Sequence, residues 1–118
     1  MTEEKDPYGK SKKELGAKMD LGKNRLGLVL HGFSKAIWAV GEVGTYGARE
    51  YSPGSWAQVP DPVNRYTDAM YRHLFEEAMG EKYDSSGLLH AAHAAWNALA
   101  RLQKIIEQEE KDVFLVDT

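Results

Sequence analysis

The chain has 118 residues, enough for one domain and too few for two independent cores. With 42% hydrophobic and 28% charged residues it has the make-up of a folded soluble protein, and its net charge of -3 gives no broad basic field for duplex nucleic acid. Cysteine is absent, which excludes disulfides, thiolate metal sites, iron–sulfur clusters and a cysteine nucleophile, and fits a reducing cytoplasm.

Residues 1–25 carry seven basic and five acidic side chains with almost no large apolar ones, and read as a mobile or surface-wrapping arm. The charged start lacks the apolar stretch of a signal peptide. No apolar run approaches the ~18–20 residues of a membrane span, so a soluble protein with no membrane partner is expected. From Leu26 an apolar face begins. Leu26, Leu28, Val29, Leu30, Phe33, Ala36, Ile37 and Val40 lead into a helix predicted over about 31–51, with Ser34 as one candidate cap. Gly41, Gly44 and Gly47 each weaken that helix by roughly 1 kcal/mol relative to alanine. Their spacing of three puts them near one side, where another helix or a ligand can come close, helix packing being the plainer reading. With no strand before them they are not a dinucleotide-binding fingerprint.

Tyr51 to Pro62 stacks turn formers and three prolines into a loop. Asp61 and Pro62 then read as cap and first residue of a helix over about 62–80, stopped by Gly80. After the connection EKYDSSG, a third helix is predicted from Ser85 or Ser86 to about Lys111, followed by an apolar VFLV that docks on the body or on a partner subunit. No further strand pattern appears. The expected fold is all-α, a small bundle of three to four helices with antiparallel neighbours.

The third helix carries an apolar stripe of Leu89, Ala92, Trp96, Leu99 and Ile106, the expected core face. Beside it run His90, His93 and Asn97, spaced i, i+3 and i+7, with six alanines between 91 and 100. Two imidazoles one turn apart can share a metal or flank an anion; the plainer alternative is a half-buried pair bonded to backbone or carboxylates. On the second helix Arg65, Asp68, Arg72 and Glu76 alternate in sign, the usual mark of a solvated, ion-paired face. His73 lies on the adjoining stripe. Counted back and forward from the Gly80–Ser86 turn, His73 and His90 fall at similar heights and can face one another. Glu81 and Asp84, three apart at the junction, suit a hard divalent cation, or else Asp84 or Ser85 caps the next helix. Lys18, Lys23 and Arg25 in the arm suit phosphate contact. Glu42, Tyr46 and Arg49 form a polar edge on the first helix, and Trp56 can stack on a base.

Four segments in order carry a family resemblance. Gly16-Ala-Lys-Met-Asp-Leu-Gly-Lys-Asn-Arg25 resembles a GxKxDxGKxR opening, and Tyr46-Gly-Ala-Arg-Glu-Tyr51 followed by Trp56 resembles [YF]GAxKYxxxxW. Arg65-Tyr66, Ala69 and Arg72-His73 form the third segment. The fourth is Gly80-Glu81, Asp84, Gly87, His90, His93 and Asn97. Over roughly residues 16–100 the set resembles the phage-associated dATP/dGTP diphosphohydrolase N-terminal domain family, related to MazG/MazZ-like all-α nucleotide pyrophosphohydrolases. The resemblance implies an enzyme that hydrolyses dGTP or dATP to monophosphate and pyrophosphate with a divalent metal, Mg²⁺ or Mn²⁺, shaping a phage nucleotide pool in the host cytoplasm.

It implies a domain over 16–111 between a flexible arm at 1–15 and a tail at 112–118, and a homo-oligomer. Glu81, Asp84, His73, His90 and His93 are then the candidate catalytic residues, with Glu81, Asp84, His90 and His93 as metal ligands. Lys18, Lys23, Arg25, Arg49 and Arg72 would contact phosphate, and Trp56, Tyr46 and Asn97 the base. One departure is plain: the ExxE and ExxD helices of MazG proteins are not both here, and His90-Ala-Ala-His93 stands where ExxD is expected. Imidazole ligands favour Mn²⁺, Co²⁺ or Zn²⁺ over Mg²⁺. A non-catalytic purine-nucleotide-binding domain is the alternative. An HD-type triphosphohydrolase comes last, because the chain contains no His-Asp dipeptide.

Overall fold

In the computed structural model the backbone is described for residues 3–117 and side chains for residues 3–113. The order is α1 (Leu26–Gly32), α2 (Ser34–Glu50), a 3-10 turn (Ser55–Gln58), α3 (Pro62–Ala78) and α4 (His90–Asp117). Among the described residues the only pairing outside helices is two isolated β-bridges, so the expected all-α class holds. None of the helices is long and apolar enough to cross a membrane.

The chain divides into two compact units, residues 1–32 and 33–118. The first is organised by Asp6. Its carboxylate accepts the backbone N–H groups of Tyr8 (2.9 Å), Lys10 (2.8 Å) and Lys18 (3.1 Å). The Lys10 N–H leads in holding this carboxyl below its ordinary range, against the opposing effect of burial. The segment read as an arm therefore contains an ordered knot of turns, followed by α1, which buries none of its residues.

The second unit is built on α4. Thr67 of α3 accepts a 2.7 Å bond from Arg101 of α4, and His73 faces His90. The pairs converge along the chain, so α3 and α4 are antiparallel neighbours, as expected. Proline at N1 opens α3 and Gly80, at φ 103°, follows its end. The predicted caps need correction. Asp61 flanks α3 in a left-handed conformation and its side chain binds Asn64 instead of the helix N–H groups. Ser34 is the first residue of α2, and Phe33 takes the cap position without a side-chain bond.

The starting point of α4 differs too. The turn at Asp84 to Gly87 does not cap a helix; it closes a hairpin-like connection, and α4 begins only at His90. At its other end α4 runs helical to Asp117, through most of the stretch read as a tail. Val113 is exposed, and the remaining side chains of VFLV lie outside the described residues.

The core is small, and polar in part. Val43, Tyr66, Ala92, Ala94 and Ala100 are buried together with His90, His93 and Asn97. Leu99 and Ile106, expected in the core, are exposed. Leu99 is two residues beyond Asn97, about 200° round the helix, so a helix that turns its histidine–alanine side inward must turn these outward. Alanine makes that choice workable, because small side chains let neighbouring backbones come close. Of the three α2 glycines only Gly44 is a close-packing position: an added Cβ would lie 3.3 Å from Trp96 Nε1, whereas at Gly41 and Gly47 it would meet nothing within 4 Å. Gly41→Ala is therefore expected to raise stability by about 0.5–1 kcal/mol. Gly44→Leu is expected to lower it by about 1–3 kcal/mol through displacement of the indole, both read from urea denaturation.

Candidate metal centre

The connection between α3 and α4 is short and tightly bonded. Glu81 N–H donates to Glu76 O, Asp84 N–H to Leu88 O, Gly87 N–H to Asp84 O and His90 N–H to Lys82 O. Gly87 takes φ 84°, a conformation open to glycine at little cost. This path turns Asp84 back toward the helices, where its Oδ2 accepts the Ser86 N–H at 2.9 Å. Glu81 stays exposed, still attached to the end of α3.

Three imidazoles meet at the hairpin. His73 Nδ1 lies 2.8 Å from His90 Nδ1, and the His73 ring stacks on His93 with centroids 4.6 Å apart and planes 11° from parallel. His90 Nδ1 is also 3.3 Å from Glu76 Oε2. His93 Nε2 approaches Ser86 Oγ at 2.9 Å and Asp84 Oδ2 at 3.4 Å, while Tyr46 of α2 packs edge-on against its ring. Asn97 turns its amide back onto His93 O at 2.8 Å.

Burial is the main reason that His73 and His93 have pKa values below the ordinary 6.5. For His73 the neighbouring His93 adds to this and Asp84 opposes it; for His93 Asp84 opposes and His90 adds. Asp84 is lowered as well: burial pushes its pKa up, but the Ser86 N–H and hydroxyl and the two imidazoles outweigh it. The pocket thus favours neutral imidazoles beside an ionised carboxylate, the protonation states a cation requires of its ligands.

His73, Glu76, Asp84 and His90 each offer one donor atom, all within 4.8 Å of one another. That spread is comparable with the ~4.2 Å between opposite ligands of a small divalent ion. His90, only 2% exposed, also has a buried Nε2 with no hydrogen-bond partner. Its imidazole is therefore held at the cluster without the usual set of polar partners. Two imidazoles and two carboxylates fit a borderline divalent cation.

Several expected site residues lie elsewhere. Glu81 is outside the group of four, and Glu76 takes a place there. His93 is engaged by Ser86 and Asp84 and is not one of the four. Trp56 sits in an aromatic cluster, 5.7 Å from Trp96 and edge-on to Tyr66, with the Lys104 ammonium 5.5 Å from its centroid. Arg49 and Arg72 are exposed on α2 and α3; Lys18, Lys23 and Arg25 are exposed within the first unit. Glu76 had a legible signal, its i+3 spacing from His73. Ser86 had none beyond its place in a turn.

Comparison with known proteins adds a family to this geometry. The profile described as dATP/dGTP diphosphohydrolase, N-terminal, matches residues 13–113. The chain belongs to this family. No curated protein and no solved structure matches it. The matched span of this diphosphohydrolase N-terminal domain contains every residue of the cluster.

The depressed histidines set the pH dependence of stability. On acidification the unfolded chain takes up protons at its ordinary 6.5, before the folded one does. Their contribution is complete above that value and lost as pH falls through the lowered folded pKa values; Asp84 acts in the same direction further down. A melting temperature that declines steadily from about pH 7.5 to pH 5 is expected, and a flat profile would contradict the assignment.

Proposed function

We propose that this chain hydrolyses a purine deoxynucleoside triphosphate, dGTP or dATP, to the monophosphate and pyrophosphate. The reading rests on one observation above the others: a family match to dATP/dGTP diphosphohydrolases that spans a partly buried cluster of donors suited to a divalent cation. His73, Glu76, Asp84 and His90 hold the cation, Mn²⁺ in preference to Mg²⁺ because two of the four donors are imidazoles. When bound, it supplies positive charge to the triphosphate and to the attacking water.

The chain's own residues do the rest. Water oxygen attacks the α-phosphorus, the bond from that phosphorus to the α–β bridging oxygen breaks, and pyrophosphate leaves with the oxygen and its electron pair. The water proton passes to His93, an imidazole kept neutral by burial, and Asp84 stabilises the resulting cation. In this reading Arg72, one residue before His73 and exposed, meets the phosphate oxygens. A second copy of the chain covers the exposed ridge of Leu99, Leu102 and Ile106 on α4, so light scattering is expected to give a mass above that of one chain.

The deciding experiment is anion-exchange analysis of products from dGTP, dATP, dCTP and dTTP, each with Mg²⁺ and with Mn²⁺. Purine monophosphate plus pyrophosphate is expected. His90→Ala should lower turnover at least about a hundredfold while circular dichroism keeps its helical signal, and should abolish the rise in melting temperature on adding Mn²⁺. Release of intact triphosphate, or saturable nucleotide binding with no turnover, would replace this reading.

A further inference from the structure

One side of α3 carries two parallel ridges. Asp68, Arg72 and Glu76 follow one another at i, i+4 and i+8, and so do Tyr71, Phe75 and Met79. Between them lies an open groove of about 420 Å³. Among the described residues the side chains of Asp68 and Arg72 form no hydrogen bond or ion pair, although their i, i+4 spacing would allow one. Tyr71 and Phe75 are more than half exposed and stack on no other aromatic ring among those residues. The groove meets the metal centre at Glu76, which faces the groove and also touches His90.

We infer that this groove is the base subsite and that Asp68 selects guanine. The inference rests on the nucleotide-hydrolase reading and deepens it. The order of groups along α3 matches the order of groups in the ligand. Glu76 is at the cation, Arg72 one turn away is at the phosphates, and Asp68 lies eight residues from Glu76, about 12 Å along the helix axis. That length suits the span from an α-phosphate to the Watson–Crick edge of its purine.

Tyr71 and Phe75, one turn apart, offer aromatic faces for the base, and a purine presents them a larger π-surface than a pyrimidine. Guanine's N1–H and N2–H₂ form a paired donor edge that a carboxylate accepts bidentately. Adenine places an acceptor at N1, so it keeps the stacking and turns a lone pair toward the same carboxylate. Trp56, committed to Trp96 and Tyr66, is not needed for base contact.

The test is calorimetric binding of dGMP and dAMP, with Mn²⁺ present, to the wild-type chain and to Asp68→Ala, Asp68→Asn and Phe75→Ala. Asp68 is exposed and, among the described residues, without a side-chain partner, so its variants keep the fold. The wild type is expected to bind dGMP about ten- to a hundredfold more tightly than dAMP. Asp68→Ala is expected to remove that preference by weakening dGMP, while dAMP binds no less tightly than to the wild type. Asp68→Asn should gain affinity for dXMP, whose 2-oxo group accepts from the new amide. Phe75→Ala should weaken both purines about tenfold. Equal affinity for dGMP and dAMP in the wild type, or a preference that survives Asp68→Ala, overturns the inference. If the preference disappears in Asp68→Ala and the wild type turns over no triphosphate, the groove stands and the hydrolase reading falls. Pyrophosphate release with the preference intact in Asp68→Ala gives the reverse.

Discussion

The contact between His73 and His90 is the constraint around which the second unit is arranged. Two ring nitrogens at 2.8 Å share one proton: one must donate and the other accept. Burial of such groups is costly unless they satisfy one another, and here Glu76, Asp84 and Ser86 supply further partners while His90 Nε2 alone is left without one. Helix register, connector path and choice of small residues all follow from this arrangement. The alanines of α4 let α3 come near enough for imidazole to meet imidazole, and the connection is a run of backbone bonds that returns Asp84 to the hairpin.

Away from the histidines, aromatic packing fixes the remaining geometry. Trp56, Tyr66 and Trp96 meet edge to face, and Tyr66 donates its hydroxyl to Trp56 O at 2.6 Å. Burial raises the Tyr66 pKa, which keeps that hydroxyl a donor. The loop before α3 is thereby tied to the same helix that carries the histidines, and Trp96 also receives α2 at Gly44. One indole thus links three segments, which is where apolar packing has its largest effect in a unit with so few buried aliphatic side chains.

Punctuation and periodicity made the helices legible: Pro62 and Gly80 bracket α3, and counting across the turn puts His73 opposite His90. The spacing of His90, His93 and Asn97 correctly marked one face but left open which face is buried. Apolar periodicity favoured Leu99 and Ile106, and the alternative prevailed because a histidine–alanine surface packs closer than a leucine one. Glu81 and Asp84 looked equivalent at three-residue spacing, yet the connector bends only the second inward. Glu76 was obscured by its neighbours: alternating charges on a helix resemble a solvated face, and nothing in a one-dimensional pattern reveals that a histidine from the next helix sits against one of them. Arm residues around Asp6 gave no apolar signal because that knot is held by backbone N–H groups bonded to a carboxylate.

All the donors of the metal centre lie inside residues 73–93, on two helices and the connector joining them. Contacts this close along the chain need little loop closure, and structures dominated by them form quickly. A divalent ion bound there would find all four of its ligands on one hairpin, with none supplied by α2. The binding free energy of such an ion would then count toward the stability of that hairpin itself.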